Sequence, residues 1–87
     1  MFVQVILGRA VDAVGLQRAW ERWHAEVEPG ATGYLGSTAG VAADGTFVAM
    51  VRFDSEAAGR ASSARPEQSA WWNEARRFLA DDLAFHA

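Results

Sequence analysis

Two periods of hydrophobic and polar positions alternate along this 87-residue chain. Met1 to Arg9, MFVQVILGR, is an almost unbroken run of β-branched, aliphatic and aromatic residues that ends at Gly8. So short a run predicts a strand covered on both faces rather than a helix. From Asp12 the period becomes helical. Leu16, Trp20, Trp23 and Val27 recur at spacings of four, three and four, while Gln17, Arg18, Glu21 and Arg22 fill the other side. Asp12 suits the N-cap of this amphipathic helix. Glu28-Pro29-Gly30 ends it, because proline disfavours the α region at the residue before it and glycine eases the chain reversal. Gly33 opens the second strand.

Between Gly33 and Asp54 the period is two, with Ala43-Asp44-Gly45-Thr46 at its centre, which predicts a hairpin. A two-residue Asp44-Gly45 loop sets Ala43 opposite Thr46. Leu35, Ser37, Ala39 and Val41 then share one face with Val48, Met50 and Arg52, and Tyr34, Gly36, Thr38 and Gly40 share the other with Phe47, Ala49, Val51 and Phe53. Asp54 or Ser55 can cap a further helix, which Pro66 divides into a short piece near 56–63 and a main piece near 66–79. Trp71, Trp72, Ala75, Phe78 and Leu79 form its apolar stripe. Asp81-Asp82 is expected to end it, ahead of a last strand from Leu83 to His86.

The order β-α-β-β-α-β is that of an α+β, ferredoxin-like domain, a four-stranded antiparallel sheet with spatial order 4-1-3-2. Strands one and three are then central, and they are the two with apolar residues on both faces. Both helices cover one face, so the other lies open in a single copy. An exposed apolar sheet face marks an interaction surface, and a second copy of the chain is the expected cover, giving a homodimer through the sheet face.

Composition narrows the function. The length suits one domain spanning residues 1–87. With no cysteine there is no disulfide framework, thiolate nucleophile or Cys-ligated metal. Eight Arg, no Lys and eleven Asp plus Glu give a charge of −3, without the positive field that draws proteins to nucleic acid. The first apolar run lacks a basic leader and is too short to span a membrane, so no membrane role and a cytoplasmic location are expected. The Arg- and Ala-rich usage suggests a bacterial source. Neither a nucleotide-binding nor a hydrolase motif occurs.

Candidate chemistry gathers at a few positions. Gln4 is the polar side chain within a central apolar strand, and it meets either a structural partner or a ligand. Gly36, Thr38 and Gly40 make a low spot, to be filled by tryptophan or left as an apolar pocket. Trp71 and Trp72 point about 100° apart on a helix, so one of them flanks a groove, a cavity or a partner. Arg52 either holds an anionic group or pairs with a carboxylate. His24 and His86 are the acid–base candidates by type. Glu21 and His24 form one Glu-x-x-His, too little for a di-iron site, and no metal site is expected. Arg76-Arg77 reads as a solvated face.

The strand FVQVILGRA, the hairpin GYLGSTAGVAADGTFVAMVRFDS and the helix RPEQSAWWNEARRFL resemble, across the whole chain, the dimeric α/β-barrel superfamily and its antibiotic-biosynthesis monooxygenase-like domains. The resemblance implies a homodimer with a cavity between each sheet and its helices. Members include cofactor-free oxygenases of aromatic polyketides and haem-degrading enzymes. Gln4 falls where the haem-degrading branch has an Asn. Its Trp in the first piece of helix two and its haem-ligating His in the second have no counterpart here, so no haem and no other cofactor are expected. Two readings follow. The first is a small cofactor-independent monooxygenase, with Gln4 and His86 catalytic and Trp71, Trp72, Arg52 and Thr38 holding an aromatic or polyketide-like ligand. The second is a non-catalytic ligand-binding or structural dimer. Convergence of Gln4 with His86 or Arg52 on one open space favours the first, and a cavity filled by tryptophan favours the second.

Overall fold

The computed structural model describes residues 1–80 and 83–86, so the expected helix stop at Asp81-Asp82 lies outside the described residues. The chain forms β1 (Phe2–Arg9), α1 (Ala13–Arg22), β2 (Tyr34–Val41), β3 (Thr46–Phe53), α2 (Glu56–Ser63), α3 (Pro66–Ala75) and β4 (Ala84–His86). A wide π turn over Trp23–Val27 and a 3-10 turn over Glu28–Gly30 prolong α1, and a 3-10 turn over Arg76–Phe78 prolongs α3. Each cap has a local cause. Asp12 accepts the Gly15 N–H at 3.0 Å, Ser55 accepts that of Ala58 at 3.1 Å, and Pro66 starts α3, where its missing N–H costs nothing.

The sheet is antiparallel in the order β2-β3-β1-β4, the predicted ferredoxin-like order read from the other edge. Along β3, Phe47, Ala49, Val51 and Phe53 are buried under the helices, while Val48, Met50 and Arg52 are exposed. Ile6 pairs with Ala49 and Gln4 with Val51, so both side chains lie on the helix-covered face. Val5 and Leu7 oppose Met50 and Val48 on the open one. Two apolar clusters lie under the helices. Ile6, Leu16, Phe47, Ala49, Val51, Phe53 and Leu79 join helix to sheet, and Ala19, Trp23, Val27, Trp71 and Ala75 join helix to helix.

The hairpin corrects the expected register. Ala42 and Thr46 close a three-residue loop, with Ala42 N–H donating to Thr46 O at 2.8 Å and Gly45 N–H to Ala42 O at 2.9 Å. Gly45 takes the left-handed conformation, φ +92°, that ends such a loop in a bulge. One extra loop residue slips the pairing by one and exchanges the two faces of β2. Ser37, Ala39 and Val41 oppose Val51, Ala49 and Phe47 on the covered face, whereas Thr38 and Gly40 oppose Met50 and Val48 on the open one. Tyr34 nevertheless shares the covered face with Phe53 as expected, because a bulge between Tyr34 and Gly36 slips the pairing by one residue more and so turns the side chain back to that face. Gly36 has φ +147°, a region almost closed to side chains, and the Arg52 guanidinium lies over it. Gly36→Ala is expected to lower stability by about 1–3 kcal/mol in urea unfolding. An unchanged midpoint would show that the bulge does not depend on glycine.

Candidate functional site

Four tryptophans from two helices meet under the sheet. Trp20 and Trp23, three residues apart, stack at 5.5 Å with planes 12° apart. Trp71 crosses Trp20 at 6.0 Å and Trp72 at 4.9 Å. Both buried indole N–H groups are satisfied. Trp23 donates to Gln68 Oε1 at 2.8 Å and Trp71 to the Ala19 carbonyl at 2.7 Å. The enclosed space left among Gln4, Val51, Ser62, Gln68 and these rings is about 20 Å³, room for one water. Tryptophan fills this interior.

Next to it the surface opens. Gln4, half-buried on β1, also lines a recess of about 360 Å³ with Ser63, Gln68, Ser69, Trp72, Asn73, Arg76 and Phe85. Phe85 reaches this rim because it pairs with Ile6 on the covered face, where its ring crosses Trp72 at 5.5 Å. Trp72 and Phe85, set edge to face, form its aromatic wall. Three amides, two hydroxyls and a guanidinium supply the polarity, and no carboxylate or imidazole lines the recess among the described residues. The arrangement suits a flat aromatic molecule with an ionisable oxygen. Aromatic rings stack on the walls, and donors from Gln4, Gln68 and Arg76 can hold a phenolate or enolate.

The expected site residues divide between the two sheet faces. Gln4 and Trp72 come together at the recess, and Trp71 lies behind Trp72 as core. Arg52 and Thr38 are on the open face, Thr38 through the register slip just described. His86 pairs with Val5 and so is on the open face too, away from Gln4. Sequence reasoning missed Gln68, Asn73 and Arg76. The signal was there, since 68, 72 and 76 are spaced by four on one helical face. Arg76 was masked by its neighbour Arg77, the pair reading as solvated charge.

A second polar group gathers at the far end of the tryptophan cluster. His24 Nδ1–H donates to Glu28 Oε1 at 2.7 Å, and Tyr34 Oη shares a 2.6 Å hydrogen bond with Ser37 Oγ. Burial, opposed by that bond to Ser37, raises the Tyr34 phenol above its ordinary value, with the facing Glu28 carboxylate adding to the rise. Tyr34 therefore favours the fold below the phenol's ordinary range, and this contribution fades as pH climbs through its raised pKa. Among the described residues no three His, Asp or Glu side chains group as metal ligands, and no helix is long and apolar enough to cross a membrane.

No family model and no curated protein matches the sequence. Solved structures do match the fold. SnoaB, a cofactor-independent oxygenase from Streptomyces nogalater, superposes with a TM-score of 0.80 at 15% identity, over 98% of this chain and 89% of that one. A monooxygenase from the gene ActVA-Orf6 of Streptomyces coelicolor, in complex with nanaomycin D, gives 0.66 at 21% identity over 98% and 84%. An antibiotic biosynthesis monooxygenase gives 0.68 at 15% over 98% and 94%. From end to end, this chain has the ferredoxin-like α+β fold of the antibiotic-biosynthesis monooxygenase-like domains.

Proposed function

We propose that this protein is a small cytoplasmic, cofactor-independent monooxygenase-like enzyme that acts, as a homodimer, on an apolar aromatic or polyketide-like molecule bound at the Gln4 recess. The observation that carries the reading is the convergence of Gln4, Gln68 and Arg76 on a recess walled by Trp72 and Phe85. The fold shared with oxygenases supports it. A substrate whose phenolate or enolate is stabilised by these donors gains carbanion character at the adjacent ring carbon and can reduce oxygen directly. With no carboxylate or imidazole at the recess among the described residues to take a proton, the substrate must be acidic enough to lose its proton to solvent. Hydroquinones and enolic anthrones meet this condition, and simple arenes do not.

The open sheet face supports the homodimer. Leu7, Val48 and Met50 are 39–44% exposed and contiguous across β1 and β3, an apolar surface that a second copy would cover. His86, Arg52 and Thr38 belong to this surface, and in the assembly they would line the interface rather than the recess.

A specific observation favours the second reading, a non-catalytic binding dimer. The tryptophans leave only about 20 Å³ enclosed, and neither His86 nor Arg52 converges with Gln4. Titrating the protein with a polycyclic aromatic hydroquinone under nitrogen, followed by tryptophan emission, tests the site common to both readings. Saturable quenching is expected, and Gln4→Ala should weaken it by on the order of tenfold for the lost hydrogen bond. Equal affinity in the variant would remove Gln4 from the site.

A further inference from the structure

Within the aromatic cluster the four tryptophans and Tyr34, its readily oxidised rings, follow one another in a continuous line. It starts at Trp72 in the recess wall and runs through Trp71 at 4.9 Å, Trp20 at 6.0 Å, Trp23 at 5.5 Å and Tyr34 at 5.3 Å between ring centroids. Packing alone does not explain how it ends. Its last oxidisable member is the only tyrosine in the sequence, and the phenol oxygen has a 2.6 Å bond to the Ser37 hydroxyl. Electron tunnelling falls off exponentially with distance and is efficient between rings this close. Indole is among the easiest side chains to oxidise, and phenol is easier still when its proton can leave to a base.

We infer that Trp72, Trp71, Trp20, Trp23 and Tyr34 are a one-electron relay that drains oxidising equivalents from the Gln4 recess to the far side of the domain. Its physiological use rests on the oxygen chemistry proposed above. The oxidant is an organic peroxyl radical, formed when the substrate anion gives one electron to oxygen, the resulting superoxide escapes instead of coupling, and a second oxygen adds to the carbon radical left behind. Trp72 gives it one electron, and with a proton from solvent it becomes the hydroperoxide. The vacancy then passes to Trp71, Trp20 and Trp23 by successive single-electron transfers. Tyr34 fills the last vacancy and passes its phenolic proton through the Ser37 hydroxyl to solvent, leaving a neutral tyrosyl radical. The net change is peroxyl radical plus phenol to hydroperoxide plus tyrosyl radical. The aromatic rings of the site are thereby spared addition of oxygen, and the radical waits where small reductants can quench it.

The test needs no substrate. Since the sequence has no cysteine, Ser69→Cys gives one attachment point at the recess for a ruthenium polypyridyl photo-oxidant. Flash oxidation is followed by transient absorption and electron paramagnetic resonance. The expected result is a short-lived tryptophan radical giving way to a tyrosyl radical, assignable to Tyr34 because there is no other. In the same background Tyr34→Phe should leave the tryptophan signal in place. Trp23→Phe and Trp20→Phe, each checked for an unchanged far-ultraviolet circular dichroism spectrum, should abolish the tyrosyl signal. Quenching of the label without a tyrosyl radical in the parent would overturn the relay, as would an undiminished tyrosyl signal in either folded Trp→Phe variant. Its failure would leave the oxygenase reading standing, since label and flash bypass the substrate. Conversely, a protein without oxygenase activity would still pass the flash test if the relay is present.

Discussion

Trp71→Ala is expected to lower the free energy of unfolding by about 3–5 kcal/mol, the range for removing a large aromatic side chain from a core. The Trp71 ring is 6% exposed, touches both Trp20 and Trp72, and belongs to the cluster that fastens α3 to α1. Its N–H also donates to the Ala19 carbonyl at 2.7 Å, a second bond to a group that also accepts the Trp23 backbone N–H, and the substitution would remove it. Domains of this size are stable by roughly 5–15 kcal/mol, so the loss is a large part of the total. Urea unfolding followed by circular dichroism measures it. A loss below about 1 kcal/mol would mean that the helices hold together without the tryptophan contact and that the interior can collapse around the vacancy.

Met50→Asp is expected to convert a dimer to monomers. Met50 lies on the central strand β3, 44% exposed in the single chain, beside Val5 and opposite Thr38. In a symmetric sheet-to-sheet interface two such carboxylates would be buried without partners. An uncompensated buried charge costs roughly 3–5 kcal/mol, on the order of a thousandfold in dissociation constant. The fold of each copy should be unaffected, because the same side chain is already in water in the single chain. Sedimentation of both proteins at micromolar concentration decides the matter. Twice the chain mass for the wild type and one chain mass for the variant are expected, and equal masses for the two would remove the open face as the interface.

The parts of this molecule that were readable in its sequence are those set by period and punctuation. The run Phe2–Arg9, the helical stripe Leu16-Trp20-Trp23-Val27 and the break at Pro66 each fixed an element, and the doubly apolar strands identified the two at the centre. The faces of β2 were not readable. Asp44-Gly45 fits a two-residue loop and equally the three-residue loop that forms, and the choice moves every side chain of the strand across the sheet. Thr38 was carried to the open face by that single residue. The compensating bulge at Gly36 left Tyr34 where alternation had put it, so one error hid inside a correct neighbour.

The site followed the same division. Gln4 was marked by its polarity in an apolar strand, and Trp72 by the impossibility of burying two adjacent helical tryptophans equally; both reach the recess. Gln68 and Arg76 were overlooked because spacing by four makes a helical face without saying whether that face meets solvent or a cleft. Phe85 needed the pairing of β4, a three-residue strand whose register no local pattern reveals. How far the tryptophans would fill the interior was a question of ring orientation. Spacing places a ring on a face and leaves its tilt to the neighbours.

Oxygen uptake with a polycyclic aromatic hydroquinone, measured for the wild type and Gln4→Ala at matched thermal stability, tests the proposed chemistry at the recess most directly. Protein-dependent uptake is expected for the wild type, with a product that by mass has gained one oxygen atom and lost two hydrogens, the second oxygen atom leaving as water. The variant should lose on the order of a hundredfold in rate, as when a single donor to a developing oxyanion is removed. Uptake no faster than in buffer, or equally fast in the two proteins, would contradict the account and leave the recess a binding surface.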